Sequence, residues 1–302
     1  MMLKAICLGR IKYDINVLID KQPIEGSTIE VFNKIGCGGG TATNVAVAFG
    51  KWGIGCAVCG VLGNDVYGNK IKEEFDKVHL DMRYIEQSYS NDTPLSTIII
   101  NNETKKYTIY NLSDKFVSIK KMDFDFSPDI TVVDGYDSVS SKKLLERFPN
   151  SKRILCANII SKEVFELCHK AQYVICPINF AELMSGVKYD PNNVKSLAQI
   201  YQAVKKKNLN TEFIIYLEEK GALYCVNNQV KISPMIQMEV QDNQGGFDAF
   251  CAGFSYIIAI DNDIEKGVKY GCISASLNSR TIGTRLSIPT IEEIKKVYEQ
   301  NY

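Results

Sequence analysis

Residues 241–260 read QDNQGGFDAFCAGFSYIIAI, a polar turn that leads directly into an almost wholly apolar helix. Gly245 and Gly246 let the chain turn without Cβ hindrance, so that backbone N–H groups can converge on one point. The predicted helix carries large and small apolar side chains on all sides, which is typical of a buried helix. Its N-terminus offers unpaired N–H groups and the positive end of the helix dipole, which favour phosphate. Asp248 lies at this end and is either a helix cap or a base.

Short apolar segments alternate with helical ones from Asp129 onward. The apolar segments are ITVVDG, RILCANI, YVICPIN and EFIIYLEE, followed by GALYCV, which is typical of a hairpin strand. This rhythm predicts a parallel sheet covered by helices on both faces. No linker or repeat divides the chain, so residues 1–302 are predicted to form a single domain.

Two segments, near 15–36 and 93–112, fall outside this rhythm because they alternate polar and apolar residues. Alternation of this kind indicates strands with one exposed face, and in the first segment it runs from about Asn16 to Ile35. The second segment resembles a hairpin with a turn at Asn101 and Asn102. We expect the two segments to form a small separate sheet.

Glycine fills four of the five positions from Gly36 to Gly40, directly before a segment rich in Ala and Val. We expect a helix there that begins at Thr41 or Thr43. The glycine stretch is either a tight strand-to-helix connection or a loop whose backbone contacts a ligand, with the Asn44 amide directed at it. A glycine-rich loop alone does not decide between these alternatives.

Polar residues follow two of the predicted strands. Asn179 and Glu182 come after YVICPI, and Asn158 ends RILCAN. Open α/β sheets bind ligands at the carboxyl ends of their strands. Each of these residues could instead terminate a strand or cap a helix.

Composition excludes several classes of protein. The chain has 302 residues, 45% of them apolar, a formal net charge of zero and a pI near 6.7, so we expect no nucleic-acid partner and no anionic membrane partner. No apolar run approaches the roughly 18–20 residues of a membrane span, and no signal peptide is evident, which predicts a cytoplasmic protein. Cys56 and Cys59 form an isolated CxxC within a predicted strand. We expect buried, reduced thiols.

Three motifs together resemble those of the ribokinase-like carbohydrate kinases of the phosphofructokinase-B type. They are GGTATN at 39–44 with GND at 63–65, N-x-x-E at 179–182, and DNQGGFDAF at 242–250. The resemblance implies a doubly wound α/β core with a small β-sheet lid. It also implies transfer of the γ-phosphoryl group of ATP to a hydroxyl of a small sugar or sugar acid, with magnesium and, in part of the family, potassium.

The resemblance also assigns roles at the reacting centre. Asp248 would take the proton from the substrate hydroxyl, and the N–H groups of Gly245, Gly246 and Phe247 would form an anion hole. Residues 63–70 read GNDVYGNK and lack the glycine that precedes Lys in a Walker A loop, so a helix N-terminus would have to hold the phosphates. Phosphoryl transfer depends mainly on positioning and charge stabilisation, which this turn can supply.

Further roles follow from matching positions. The residues expected to bind substrate hydroxyls are Asp14, Gly39, Gly40, Asn44 and Asn158. The residues expected to act on magnesium through water are Asn179 and Glu182, and Asp242 matches a monovalent-cation site together with carbonyls near Gly283 and Ser287. Asn278 and Gly221 are expected to bind the nucleotide. The lid is expected to close over substrate and to pair two chains in a homodimer.

The chain departs from the family pattern at three places. Phe247 stands where the family has glycine, at a cost of about 1–2 kcal/mol if its φ must be positive. Residues 216–218 read YLE in place of Thr-x-Gly, and residues 156–158 read CAN in place of Asp-x-Asn. Two alternatives to a sugar kinase stay open. One is a nucleoside kinase of the adenosine type, since related families share the three motifs, and the other is a catalytically weak ligand-binding protein, because of Phe247.

Overall fold

The computed structural model describes residues 3–21, 23–31, 33–112, 116–193 and 195–302. This part of the chain contains thirteen strands in two sheets. The strands are β1 (Lys4–Leu8), β2 (Lys12–Ile19), β3 (Lys34–Gly39), β4 (Gly55–Gly63), β5 (Ile85–Ser88), β6 (Leu95–Asn101), β7 (Tyr107–Leu112), β8 (Ile130–Val133), β9 (Lys152–Cys156), β10 (Tyr173–Pro177), β11 (Glu212–Tyr216), β12 (Ala222–Val226) and β13 (Gln229–Ser233).

The same ranges contain nine α-helices and two short 3₁₀ helices. The α-helices are α1 (Thr41–Lys51), α2 (Val66–Asp76), α3 (Ser138–Arg147), α4 (Lys162–Leu167), α5 (Ile178–Ser185), α6 (Lys195–Lys207), α7 (Gly246–Ile260), α8 (Ile264–Asn278) and α9 (Ile291–Asn301). The 3₁₀ helices are Cys168–Lys170 and Glu218–Lys220.

The large sheet has nine strands in the order β13-β12-β11-β10-β9-β8-β1-β4-β5. Every pairing from β11 to β5 is parallel, and only the two pairings of β12, with β11 and with β13, are antiparallel. The predicted parallel core is confirmed, and so is the hairpin formed by GALYCV.

Helices cover both faces of this sheet because its central strands are apolar on both sides. In β1, Ala5 and Cys7 belong to the core cluster that includes residues of α1, α7, α8 and α9, whereas Ile6 and Leu8 belong to the cluster that includes residues of α3, α4, α5 and α6. The helix α7 is buried between the sheet and α8. A Cβ on Gly253 would lie 2.6 Å from the carbonyl oxygen of Tyr270, so this close helix contact requires glycine.

The second sheet has the order β3-β2-β6-β7 and corresponds to the predicted small separate sheet, which we call the lid sheet. The first of the two alternating segments extends farther than predicted, from Lys12 to Gly39. The alternation in STIEVFNKI, residues 27–35, predicts a strand there, but this is wrong for residues 27–31, because β3 begins only at Lys34, which pairs with Val17. Ile24 and Ile29, which precede β3, are both exposed, so the apolar side chains of this segment form no buried strand face.

The glycine stretch is largely strand rather than loop. Gly36 and Gly38 pair with β2, and a Cβ on Gly36 would lie 2.4 Å from the hydroxyl oxygen of Tyr13. Glycine is needed here because side chains occupy the space where a Cβ would stand. Helix α1 begins at Thr41, as predicted. The predicted hairpin after β6 is confirmed, with a turn that starts after Asn101 and ends before Tyr107.

Three smaller expectations can be compared with the structure. Cys56 and Cys59 are both buried free thiols in β4 and belong to opposite faces of the sheet, as their odd spacing in a strand requires. The Thr-x-x-Glu spacing at 290–293 predicts a capping box, and Thr290 and Glu293 form one at the start of α9. None of the helices in the described ranges is long and apolar enough to cross a membrane.

Candidate active site

The N-terminus of α7 faces an open cleft with a volume of about 690 Å³. Gly245 caps the helix with a φ of 88°, and a Cβ there would lie 2.5 Å from Cγ2 of Thr284. Helix geometry leaves the N–H groups of Gly246, Phe247 and Asp248 without intrahelical acceptors. This end of α7 therefore presents the free N–H donors that an anion site requires.

Asp248 is held at the cleft by two donors from α1. The Thr41 hydroxyl donates to Oδ1 at 2.8 Å, and Nδ2 of Asn44 donates to Oδ2 at 2.7 Å. Nδ2 of Asn158 donates in turn to the Thr41 hydroxyl at 2.8 Å. The side chain is thus not a simple helix cap, because both its oxygens accept bonds from another helix.

Burial raises the pKa of Asp248 above its ordinary value of 3.8, and the hydrogen bonds from Thr41 and Asn44 oppose this shift. Lys12 also lowers the pKa and Asp14 raises it. Asp134, which lies behind this centre, is buried as well, and burial raises its pKa to about 6. A carboxylate whose proton affinity is increased by burial suits a general base.

Lys12 and Asp14 lie on β2 at one end of the cleft. Nζ of Lys12 is 2.8 Å from Oδ1 of Asp14 and 3.3 Å from Oγ of Ser96. A Cβ on Gly39 would lie 2.1 Å from Oδ2 of Asp14, so this glycine gives the carboxylate room. No motif marks Lys12, although strand alternation places residues 12 and 14 on the same face.

The cleft continues past α7 to a more apolar end. Its lining there includes Met235, Ile236, Met238, Val240, Ala275, Ser276 and Ser279. Tyr107 and Ile109 of β7 line the cleft from the lid sheet. One end of the cleft is therefore polar and charged, the other end is apolar, and the N-terminal turn of α7 lies between them.

Phe247 is accommodated without a left-handed backbone, because the positive φ in this turn belongs to Gly245. The expected strain at Phe247 is therefore absent. Its half-buried ring lies edge-on against Tyr216, with 5.9 Å between ring centroids. Tyr216 ends β11 where the family has Thr-x-Gly, so two departures from the family pattern contact each other. Both rings line the cleft.

Several predicted residues do not line the cleft. Oδ1 of Asn179 accepts from the N–H of Phe180, and Glu182 accepts from the N–H of Tyr189 at 2.7 Å. Asn278 is fully buried, and its Nδ2 donates to the carbonyl of Thr284 and to Oγ of Ser287. Gly221 has a φ of 101° and packs against the backbone of Ser233, while Glu218 and Glu219 reach the cleft instead.

Asp242 is fully buried beside the turn. Its Oδ1 accepts from the N–H of Gln244 at 2.8 Å, and its Oδ2 accepts from the N–H of Gly283 at 3.1 Å. Among the residues described, no Lys or Arg nitrogen lies within 4.0 Å of this carboxylate. Burial raises its pKa, and Oε1 of Gln244 is buried without a hydrogen bond. Oxygen atoms without a cationic partner suit a monovalent cation.

One buried, positively charged side chain near the site was not anticipated from the sequence. Arg285, between α8 and α9, is only 3% exposed and donates to Oδ1 of Asn44 at 3.0 Å. No motif marks this residue. The one available signal was the glycine at position 38, because a Cβ there would lie 1.7 Å from Nη1 of Arg285.

Comparison with known proteins shows which family and which fold this chain resembles. A family model described as "pfkB family carbohydrate kinase" matches residues 2–291. The deoxyribokinase of Salmonella typhi is 22% identical over 314 residues, covering 97% of this chain and 98% of the relative. The structure of ribokinase from Thermotoga maritima matches with a TM-score of 0.80 at 22% identity, covering 99% of this chain and 100% of that chain. Ribokinase from Arabidopsis thaliana, solved with ribose and ATP, matches with a TM-score of 0.78 at 19% identity, covering 98% of this chain and 99% of that one.

Proposed function

The chain belongs to the pfkB family of carbohydrate kinases, and on this premise we propose that it transfers the γ-phosphoryl group of ATP to a hydroxyl of a small sugar or sugar acid, with Asp248 as the general base. The observation that carries the proposal is the position of Asp248. It lies at the N-terminus of α7, between the polar and apolar ends of one cleft, with both carboxylate oxygens held by α1.

The polar end of the cleft suits the acceptor substrate. Asp14, Gly40, Thr41 and Asn158 line it together, and they offer both donors and acceptors for hydroxyl groups. Asn44 does not line the cleft itself, but it donates a hydrogen bond to Asp248, so it would affect the substrate only through Asp248. The apolar end suits a nucleotide base, which would lie between residues 235–240 and the end of α8.

The reaction follows from this placement. The substrate hydroxyl gives its proton to Asp248 as its oxygen forms a bond to the γ-phosphorus. The bond from that phosphorus to the β–γ bridging oxygen breaks, and ADP leaves. The N–H groups of Gly245, Gly246 and Phe247 stabilise the charge on the transferring phosphoryl group. Because the donors from Thr41 and Asn44 favour the ionised form, Asp248 can accept the proton although burial opposes its charge.

Magnesium would neutralise the negative charge of the phosphates when bound. Asn179 and Glu182 provide the oxygen atoms that magnesium prefers. Both side chains have local hydrogen-bond partners and lie off the cleft, so contact through water is the arrangement that fits. Asp242 would hold potassium, because its buried charge has no cationic partner in the described ranges. Bound potassium would favour the ionised Asp242 and steady the turn that precedes α7.

We propose that one face of the lid sheet covers the bound substrate and that the other face forms a homodimer interface. Strand alternation directs Tyr107 and Ile109 of β7 into the cleft and leaves Tyr110 and Leu112 on the other face, where they are 54% and 60% exposed. A second copy of the chain would cover this outer face. Light scattering should show a dimer that Leu112→Lys weakens, whereas Ile260→Lys, at an exposed isoleucine of α7, should not. A strictly monomeric wild type would contradict this part of the proposal.

ADP release in a coupled assay tests the activity. The panel includes pentoses, hexoses, sugar acids and nucleosides, each with ATP and magnesium. Turnover with a sugar or sugar acid supports the proposal, and turnover confined to nucleosides would favour the nucleoside kinase alternative. ATP binding without turnover of any acceptor would favour a ligand-binding protein.

A further inference from the structure

Arg285 makes four hydrogen bonds to the glycine stretch and its surroundings. Nε donates to Oδ1 of Asn44 at 3.0 Å, and Nη1 donates to Oε2 of Glu74 at 2.9 Å. Nη2 donates to the carbonyl oxygen of Gly39 at 3.2 Å and to Oγ1 of Thr43 at 3.1 Å. A buried guanidinium is costly unless it is paired and hydrogen-bonded, and here both conditions are met.

The surroundings of Arg285 are built to receive it. Both carboxylate oxygens of Glu74, on α2, accept from the N–H of Gly38 at 3.0 Å. This holds the negative charge that pairs with Arg285 against β3. Gly38 has no Cβ at the place where the guanidinium lies. Phe75 stacks beneath, with its ring centre 5.1 Å from Cζ of Arg285. The guanidinium therefore has one defined position relative to α1.

This position fixes the orientation of the Asn44 amide. A guanidinium can only donate hydrogen bonds, and an ionised carboxylate can only accept them. Asn44 lies between Arg285 and Asp248, so its oxygen must face the former and its NH₂ group must face the latter. Without Arg285, nothing on that side prevents the amide from rotating and presenting its oxygen to the carboxylate.

The other carboxylate oxygen of Asp248, Oδ1, also accepts from a donor whose orientation is fixed by a neighbouring group. Asn158 donates to the Thr41 hydroxyl, which leaves the hydroxyl proton to be donated to Asp248. Two donor chains therefore converge on one carboxylate, and each is fixed at its far end by a group that donates to it.

We propose that Arg285 is a positioning residue of the kinase reaction, which orients the Asn44 amide so that Asp248 stays ionised and correctly aimed at the acceptor hydroxyl. This inference rests on the proposed role of Asp248. Arg285 itself does not line the cleft. It acts through Asn44, so its effect must depend on that residue.

Other charged and titratable groups also act on Asp248. They are Lys12 and Asp14 on β2, Asp134 after β8, Tyr107 on β7 and Cys251 on α7. A substitution at position 285 leaves all of them in place. A change in the pH profile of such a variant therefore reports the loss of Arg285 and its bonds.

Two substitutions form a matched pair. Arg285→Gln places an amide nitrogen at the position of Nε and can still donate to Asn44, whereas Arg285→Met places a methyl group there. Both variants lose the charge and leave Glu74 unpaired to the same extent, so they share any folding defect. Glu74→Gln combined with each of them removes the unpaired charge and keeps the comparison valid if the single variants fold poorly.

The measurement is the pH dependence of kcat/KM with the best substrate of the panel. In Arg285→Met the acid limb should move upward by about one pH unit, with about a tenfold deficit below the limb that shrinks as the pH rises. Arg285→Gln should keep the limb near the wild-type position. Arg280→Met, at an exposed arginine in the loop after α8, should leave the profile unchanged.

An Asn44→Ala background completes the test. If Arg285 acts through Asn44, Arg285→Met should cause no further shift of the limb there. A uniform loss of rate at all pH values, equal profiles for the Gln and Met variants, or the same shift with and without Asn44 would each overturn the inference. An inactive wild type would instead count against the proposed function.

Discussion

Nδ2 of Asn44 lies 2.7 Å from Oδ2 of Asp248, although 204 positions separate the two residues in the chain. One belongs to the glycine-rich N-terminal motif and the other to the C-terminal turn. Their hydrogen bond joins the start of α1 to the start of α7. Because both helices begin beside the same cleft, the contact links the substrate-binding motif to the proposed base.

The rate should depend on the ionisation of Asp248. Since burial raises its pKa above 3.8, kcat/KM should fall as the pH falls through a value above the ordinary range of aspartate. Asn44→Leu removes a donor that lowers this pKa, so its acid limb should lie at higher pH than that of the wild type. A pH–rate profile from pH 4 to 9 measures both. An unchanged limb in Asn44→Leu would show that this hydrogen bond does not tune the base.

Phe247→Gly should leave kcat unchanged or raise it. The Phe ring fills space against Tyr216, and the backbone at position 247 has no positive φ that would require glycine. The substitution should lower the free energy of unfolding by about 1 kcal/mol, the cost of glycine within a helix. ADP release by the wild type, Phe247→Gly and Phe247→Leu measures this effect. A raised KM in the glycine variant alone would indicate that the ring contacts substrate or nucleotide instead.

Gly245→Ala should destabilise the protein by about 2–3 kcal/mol, because it combines a positive φ with a close contact. A Cβ there would lie 2.5 Å from Cγ2 of Thr284. Gly26→Ala is the matched control, since Gly26 has a φ of 81° and no atom within 4 Å of the added Cβ. It should cost about 1 kcal/mol. Urea denaturation compares the two, and equal losses would mean that the contact with Thr284 relaxes freely.

Potassium should stabilise the wild type more than Asp242→Asn. A bound cation would offset the buried charge of Asp242, and the amide of the variant offers less attraction to a cation. The melting temperature is measured in potassium chloride and in tetramethylammonium chloride at equal ionic strength. An equal response of both proteins would remove Asp242 from the proposed cation site.

The repeating part of the fold could be predicted from the sequence because its signals are local. Apolar segments such as ITVVDG and YVICPIN became β8 and β10 at nearly the predicted positions. The first lid segment was harder, because Ile29, Val31 and Ile35 imitate the alternation of a strand, although Ile29 is exposed and β3 begins only at Lys34. Whether such residues pair depends on the partner strand, which a single sequence does not specify.

The candidate site was predictable where motifs mark it and not elsewhere. Asp248, Gly245 and Asn44 lie together as expected. Arg285 was missed because its four partners are distant in the chain and no motif surrounds it. The bond between the Glu182 carboxylate and the N–H of Tyr189, in the loop that follows α5, was likewise not predicted. Hydrogen bonds of this kind depend on tertiary packing.

The turnover of Asp248→Asn tests the central proposal most directly. Asparagine keeps the shape of the side chain but cannot accept the substrate proton, so kcat should fall by about 10²–10⁴-fold. The melting temperature and ATP binding of the variant, measured in parallel, should stay close to those of the wild type. ADP release with the best acceptor of the panel is the readout. A folded Asp248→Asn variant with near-native turnover would contradict the assignment of Asp248 as the base.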